Sequence, residues 1–331
     1  MRLLVLGGTR HVGRAVVENA LARGDEVTTL NRGLSRPPAA GVRLLRADRT
    51  DPVQLREALA DGVWDAVLDT WDGAPCMVQS SCRELAGRVA HYGYVSSRSV
   101  YRWPIPLGLD ETAPVVDADP ASGDDADYAA AKRGAELAVL EAFGDTALLA
   151  RAGLVLGPYE LSGRLPWWLR RLSEGGRVLA PGPVDRPLQL IDARDLAVWL
   201  LGGADRGLGG TFNAVSRRGH ATMGSLLSAG VAVTGEHAEL VWVDPEIVEA
   251  AGIAAWTELP IWLPPTGEGA GMHDGDVSRA YAQGLRCRPV AETVADTWSW
   301  LQDEGFPPPR PDRPPVGLDR AREKAVLDSL G

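Results

Sequence analysis

Lysine is nearly absent from this chain: of 34 lysine and arginine side chains, only Lys132 and Lys324 are lysine. Where arginine could supply the charge equally well, a lysine therefore asks for a chemical reason. Cysteine is scarce too. Cys76, Cys82 and Cys287 form no CxxC pair and leave an odd count, which suits a reducing cytoplasm better than a disulfide framework. No stretch of about 20 apolar residues is present, so no membrane-spanning helix is expected. The opening MRLLVLGG reaches glycine at once, without the longer apolar region and cleavage site of a signal peptide. Excess positive charge is also missing. A net charge of −10 at pH 7 offers nucleic acid no long-range field, although a local basic pocket could still bind phosphate. The histidines, His11, His91, His220, His237 and His273, show no metal-ligand spacing, so no metal is expected. These absences leave a cytoplasmic, globular protein with a small-molecule partner and neither nucleic acid nor membrane as a partner.

What is present is an alternation of short β-rich runs with amphipathic stretches over the first 150 or so residues. RLLVLGG is followed by a helix over about 12–23, then EVTTLNR, VRLLRAD, a helix over about 52–60, and WDAVLDT. This is the pattern of βαβ units on a parallel sheet. A helix over 75–90 places Val78, Cys82, Leu85 and Val89 on one face, and HYGYVSS is the next strand. Residues 102–127, rich in proline and aspartate, read as a loop. Tyr128 opens a helix to about 143, followed by the strand TALLARAGLVLG. The expected fold is α/β: a Rossmann doubly wound parallel sheet over 1–157, with later elements at about 188–215 interleaved, and a smaller C-terminal substrate-binding lobe over 158–305. Residues 306–331 form a proline-rich tail and a terminal charged segment, docked on the surface or loose.

The stretch VLGGTRHVGRAVV carries the first chemical signal. A first strand ending in Gly7-Gly8-Thr9, then Arg10, His11 and Val12 before Gly13 in the helix, lets backbone approach a pyrophosphate at the helix N-terminus. About 20 residues on, NAD-binding turns carry an acidic residue for the ribose 2′-hydroxyl. Here the strand ends in Asn31-Arg32. Without a carboxylate to repel a 2′-phosphate, and with Arg32 and Arg10 able to fork onto it, NADP(H) is favoured and NAD(H) remains possible.

The second signal is Tyr128-Ala-Ala-Ala-Lys132. Positions i and i+4 share a helix face, so phenol and ammonium project together. An ordinary phenol, with a pKa of about 10, is a poor proton shuttle at neutral pH, and a nearby ammonium favours phenolate. An ammonium can also bridge ribose hydroxyls. Finding one of two lysines at this position is what makes the pair informative. Val95-Ser96-Ser97 at the end of a preceding strand adds a hydroxyl.

Together GGTRHVG, VSSRSVY, the Tyr128–Lys132 pair, LQLIDARDLA and GTFNAV resemble the extended and atypical short-chain dehydrogenase/reductases, the superfamily that includes NAD-dependent epimerases and dehydratases. The resemblance runs to about residue 305. It implies that Ser97, aligned through Tyr101, hydrogen-bonds the substrate oxygen, that Tyr128 is general acid/base, and that Lys132 orients the nicotinamide ribose. It further implies Asp48 near adenine and Thr70 near the cofactor. It allows a homodimer through the helices at 75–90 and 128–143. Two departures bear on the reaction. Dehydratases of this kind place an Asp-Glu pair after the active-site hydroxyl, where this chain has Arg98-Ser99. Nucleotide-sugar epimerases have an asparagine where this chain has Leu154, which puts a sugar nucleotide in doubt. The expected activity is hydride transfer between NADP(H) and a small carbonyl or secondary alcohol. The alternatives are an epimerase with retained cofactor and a dinucleotide-binding redox sensor without turnover. Of the 11 tryptophans, Trp71, Trp103, Trp167 and Trp168 are placed where rings could stack on substrate.

Overall fold

The computed structural model describes residues 1–34, 37–308 and 315–330. The first half runs β1 (Arg2–Leu6), α1 (His11–Ala22), β2 (Glu26–Asn31), β3 (Arg43–Arg46), α2 (Pro52–Leu59), β4 (Ala66–Asp69), α3 (Pro75–Leu85), β5 (His91–Ser97), α4 (Tyr128–Phe143) and β6 (Ala147–Ala152). Local chemistry sets several of these ends. Asp51 caps α2 by accepting from the amides of Val53 and Gln54, with Pro52 in the first turn. Asp127 caps α4 by accepting from Ala130 N, and Gly144 at φ +51 closes it.

The second half continues with β7 (Leu154–Leu156), α5 (Arg164–Ser173), β8 (Gly176–Pro181), β9 (Pro187–Leu188), β10 (Leu190–Asp192), α6 (Ala193–Asp205) and β11 (Gly210–Ala214). After these come β12 (Ala221–Thr222), α7 (Met223–Val233), β13 (Ala238–Val243), α8 (Pro245–Ala250), α9 (Ser278–Ala282), α10 (Val290–Glu304) and α11 (Arg320–Ser329).

The central sheet has the order β11-β6-β5-β4-β1-β2-β3, and every pairing in it is parallel. Alternation along β1 shows why both faces must be covered. Leu3 and Val5 pack with α1 and α6, whereas Leu4 and Leu6 pack with α2, α3 and α4. This is the doubly wound Rossmann arrangement that the sequence implies. A further apolar cluster is built from α5, α7, α10, β8 and β13 around Trp168 and Trp262, both fully buried.

Two expectations change. Helix α3 stops at Leu85, because Ala86 adopts ψ 132° and Gly87 turns at φ +72; Val89 is buried from the loop beyond the helix. TALLARAGLVLG is two strands, not one. The chain breaks at Gly153, where a Cβ would stand 2.5 Å from Val215 Cγ2, and β7 leaves the main sheet to pair with β10. The terminal charged segment, expected docked or loose, is a docked helix: Glu323 on α11 is 2% exposed and paired with Arg171. The middle of the proline-rich tail, 309–314, lies outside the described residues.

Candidate active site

The C-terminal ends of β1, β4 and β5 open onto a cleft of about 350 Å³, the place where open α/β sheets bind ligands. Gly7 and Gly8 make the turn after β1 at φ +115 and +92, values that exclude an ordinary side chain. Gly13, buried in the first turn of α1, is required by packing: a Cβ there would stand 2.7 Å from Gly8 N. Thr70 closes the other side, its hydroxyl donating to Leu6 O at 3.2 Å. Among the described residues no side chain caps α1 and its first turn holds no acid, so amide donors face the cleft.

Gly7, Gly8, Thr9, Arg10, His11, Val12, Gly13, Thr70, Ser97, Tyr128 and Lys132 all line this one cleft. Within it His11 is held at φ +31, its Nε2 is buried without a hydrogen-bond partner, and burial pushes its pKa down to about 4. The ring is neutral at physiological pH.

Asn31, Arg32 and Asp48 stand outside that lining, at the neighbouring ends of β2 and β3. Asn31 is structural as well as adjacent. Its Nδ2 donates to Gly7 O at 3.2 Å and its Oδ1 accepts from Gly33 N at 2.9 Å. Arg32 is exposed, with Nη1 4.0 Å from Asp48 Oδ2. No carboxylate follows β2 in the chain, but the parallel pairing of β2 with β3 brings one alongside. Hydrogen bonds from the Thr50 amide and hydroxyl hold the Asp48 carboxyl below its ordinary pKa.

The catalytic candidates converge. Strand alternation sends Ser96 inward, where its hydroxyl donates to Glu136 Oε1 at 2.7 Å. Arg151 grips the same carboxylate through Nε and Nη2, both at 2.9 Å. Ser97 is left facing the cleft, with its Oγ 3.1 Å from Ser99 Oγ. Lys132 is 4% exposed, and its Nζ donates to Trp71 O at 2.5 Å and Val95 O at 2.8 Å. Tyr128, one turn earlier on α4, is 43% exposed at the mouth.

Sequence reasoning missed what holds these groups. Asp69, fully buried at the end of β4, receives Arg49 through Nη1 at 2.7 Å and Nη2 at 2.5 Å, the Tyr92 hydroxyl at 2.7 Å and the Trp71 amide at 3.0 Å. It thereby holds the backbone of Trp71, whose carbonyl receives Lys132. Burial pushes the neighbouring Tyr92 and Tyr94 phenols well above their ordinary range. The available signal was a lone acid closing an apolar strand, AVLD. Glu160 is also fully buried. It accepts from Ser162 Oγ and from Arg164 N and so shapes the loop at 161–163; burial raises its pKa.

A parallel doubly wound sheet with a glycine cradle, open helix amides and a Ser-Tyr-Lys set at its C-terminal edge defines a Rossmann-type dinucleotide site, and its residues fit that ligand. The model of the NAD dependent epimerase/dehydratase family matches residues 3–213, and the chain belongs to that family. Three solved structures share the fold. The Bordetella bronchiseptica enzyme WbmH, in complex with NAD+, is 20% identical with a TM-score of 0.68, over 92% of this chain and 99% of its own. The UDP-Glc/GlcNAc 4-epimerase of Campylobacter jejuni is 13% identical with a TM-score of 0.69, over 91% and 99%. The Thermus thermophilus UDP-glucose 4-epimerase, in complex with NAD, is 20% identical with a TM-score of 0.64, over 92% and 100%. A search of curated protein sequences finds no match.

Proposed function

We propose that this protein is an NAD-dependent epimerase that retains its cofactor and inverts one secondary carbinol of a small molecule. The observation that carries this reading is the convergence of Ser97, Tyr128 and Lys132 on the glycine-turn cleft. The dinucleotide, when bound, supplies reversible hydride acceptance. Ser97 Oγ donates a hydrogen bond to the carbinol oxygen. Tyr128 would take the hydroxyl proton of the carbinol and later return it to the same oxygen. Lys132 holds a positive charge one turn beneath the phenol, and its two carbonyl partners restrict where that charge sits. The pairing of Arg32 with Asp48 supports NAD(H) over NADP(H), because a carboxylate at that corner repels a 2′-phosphate. The epimerases among the structural neighbours support the same choice.

A reductase exchanging NADP(H) at every turnover would use the same three residues. The exposure of Arg10 and Arg32 favours it. Mass spectrometry of dinucleotide released on denaturing the freshly purified protein separates the two. Near-stoichiometric NAD⁺ is expected. An empty site that then binds NADPH more tightly than NADH would overturn the epimerase in favour of the reductase.

A further inference from the structure

Asp69 is the last residue of β4 and is fully buried. A carboxylate offers about four acceptor positions, and here all of them are filled. Oδ1 receives Arg49 Nη1 at 2.7 Å and the Trp71 amide at 3.0 Å, while Oδ2 receives Arg49 Nη2 at 2.5 Å and the Tyr92 hydroxyl at 2.7 Å. Arg49, 6% exposed, turns its Nε to α3, donating to Ser81 Oγ at 2.8 Å and to Met77 O at 3.3 Å. Well-packed apolar residues of similar volume often match or exceed a buried ion pair in stability. Stability alone therefore does not explain why charge is placed here.

What the pair supplies is a fixed carbonyl. Among the described residues, Lys132 Nζ donates to Val95 O and to Trp71 O. Val95 lies inside β5, where the ladder with β6 sets its place. Trp71 lies beyond β4, whose ladder with β5 ends at the pairing of Asp69 with Tyr94, so the sheet does not set its place. Its amide is held by Asp69 instead, and Arg49 also stands 5.1 Å from the centroid of its ring. The Trp71 carbonyl so held accepts the Tyr94 hydroxyl at 3.1 Å as well as the lysine. We propose that Arg49 is a positioning residue for the reaction: acting through Asp69 and Trp71, it sets where the Lys132 ammonium stands beneath Tyr128. Arg49 directly follows Asp48. One short loop after β3 thus carries both the carboxylate beside Arg32 and the support of the lysine. This role rests on the function given to Lys132 above and holds whether the cofactor is retained or exchanged.

The scarcity of lysine makes this measurable by nuclear magnetic resonance. The full chain labelled with ¹³C at the lysine ε-carbon gives one signal each for Lys132 and Lys324. Lys324, with a side chain 74% exposed, is the internal reference, and Lys324→Arg assigns the pair. Asp69→Asn keeps the shape of the side chain and removes the charge that holds Arg49. Arg49→Met combined with Asp69→Leu removes both charges, so that no buried charge is left unpaired. At matched dinucleotide content the Lys132 signal should leave its parental position in both proteins while Lys324 stays in place, even though the double variant melts close to the parent. A Lys132 signal at the parental position in whichever of the two variants folds would reduce the pair to a structural tie and overturn the positioning role. The measurement needs no substrate, so the two readings fail separately. An unmoved lysine in a protein that retains NAD⁺ sinks the positioning role alone, whereas a displaced lysine in a protein with the reductase signature sinks the epimerase alone.

Discussion

Lys132 is surrounded by peptide carbonyls, not carboxylates, so its charge is held without being neutralised. Arginine's planar fork cannot reproduce a compact ammonium bridging the carbonyls of Trp71 and Val95, which explains why a chain so poor in lysine keeps one there. Tyr128, by contrast, is exposed and its ring supports little of the fold. Tyr128→Phe should therefore lower turnover by about 10²–10⁴-fold, the usual worth of a general acid/base, while leaving the melting temperature and the amount of bound dinucleotide unchanged. Normal turnover in that variant would remove the proton shuttle. These residues were legible because they occur as a local i, i+4 pair and a turn motif. Asp69 and Glu136 were not, because their importance lies in Arg49 and Arg151, partners brought in from other strands and loops. For the same reason the sequence does not show that Asp48, reached through the next strand, stands beside Arg32.

The first turn of α1 is a contact between two pieces of backbone, and Gly13 is the residue that allows it. In Gly13→Ala the new Cβ must displace Gly8 N, 2.7 Å away, or move the helix outward. Such overpacking costs about 1–3 kcal/mol and reshapes the cradle itself. The variant should fold with a lowered melting temperature and copurify with far less dinucleotide. Full retention of the cofactor would show that the turn does not hold it. Elements of this kind were readable from glycine placement and strand alternation, and Tyr128–Phe143 falls where the sequence puts it. What escaped was decided by tertiary contact. The split at Gly153 answers to Val215, more than 60 positions away in sequence.

The main sheet meets the C-terminal lobe across a buried polar junction, and this junction gives the whole molecule a pH response. Arg98, immediately after Ser97, donates through Nη1 to Gln189 Oε1 and Met272 O, both at 2.9 Å. His273, 2% exposed, accepts from Gln189 N through Nδ1 at 3.1 Å and contacts Ile261 O through Nε2 at 3.1 Å. Burial pushes its pKa down to about 4, with the Arg186 and Arg98 charges acting in the same direction. A proton on Nδ1 would displace the Gln189 amide and add a third cation to the junction. The unfolded chain, with a histidine pKa of about 6.5, binds that proton more readily than the folded chain. Stability is therefore fully present above about pH 6.5 and falls as pH drops toward 4. His273 alone accounts for up to about 3 kcal/mol of that loss at 1.36 kcal/mol per unit, and His11, pushed down over the same window, adds to it. Carboxylates also titrate in the acid part of this window, and burial raises the Glu160 pKa, so the histidine contribution is read as the difference between the parent and a His273 variant in urea unfolding between pH 7 and 4. His273→Gln keeps a polar group at the junction without a titratable site, and its stability should decline less steeply with acid than that of the parent. Parallel slopes for the two proteins would mean that the junction does not sense protons.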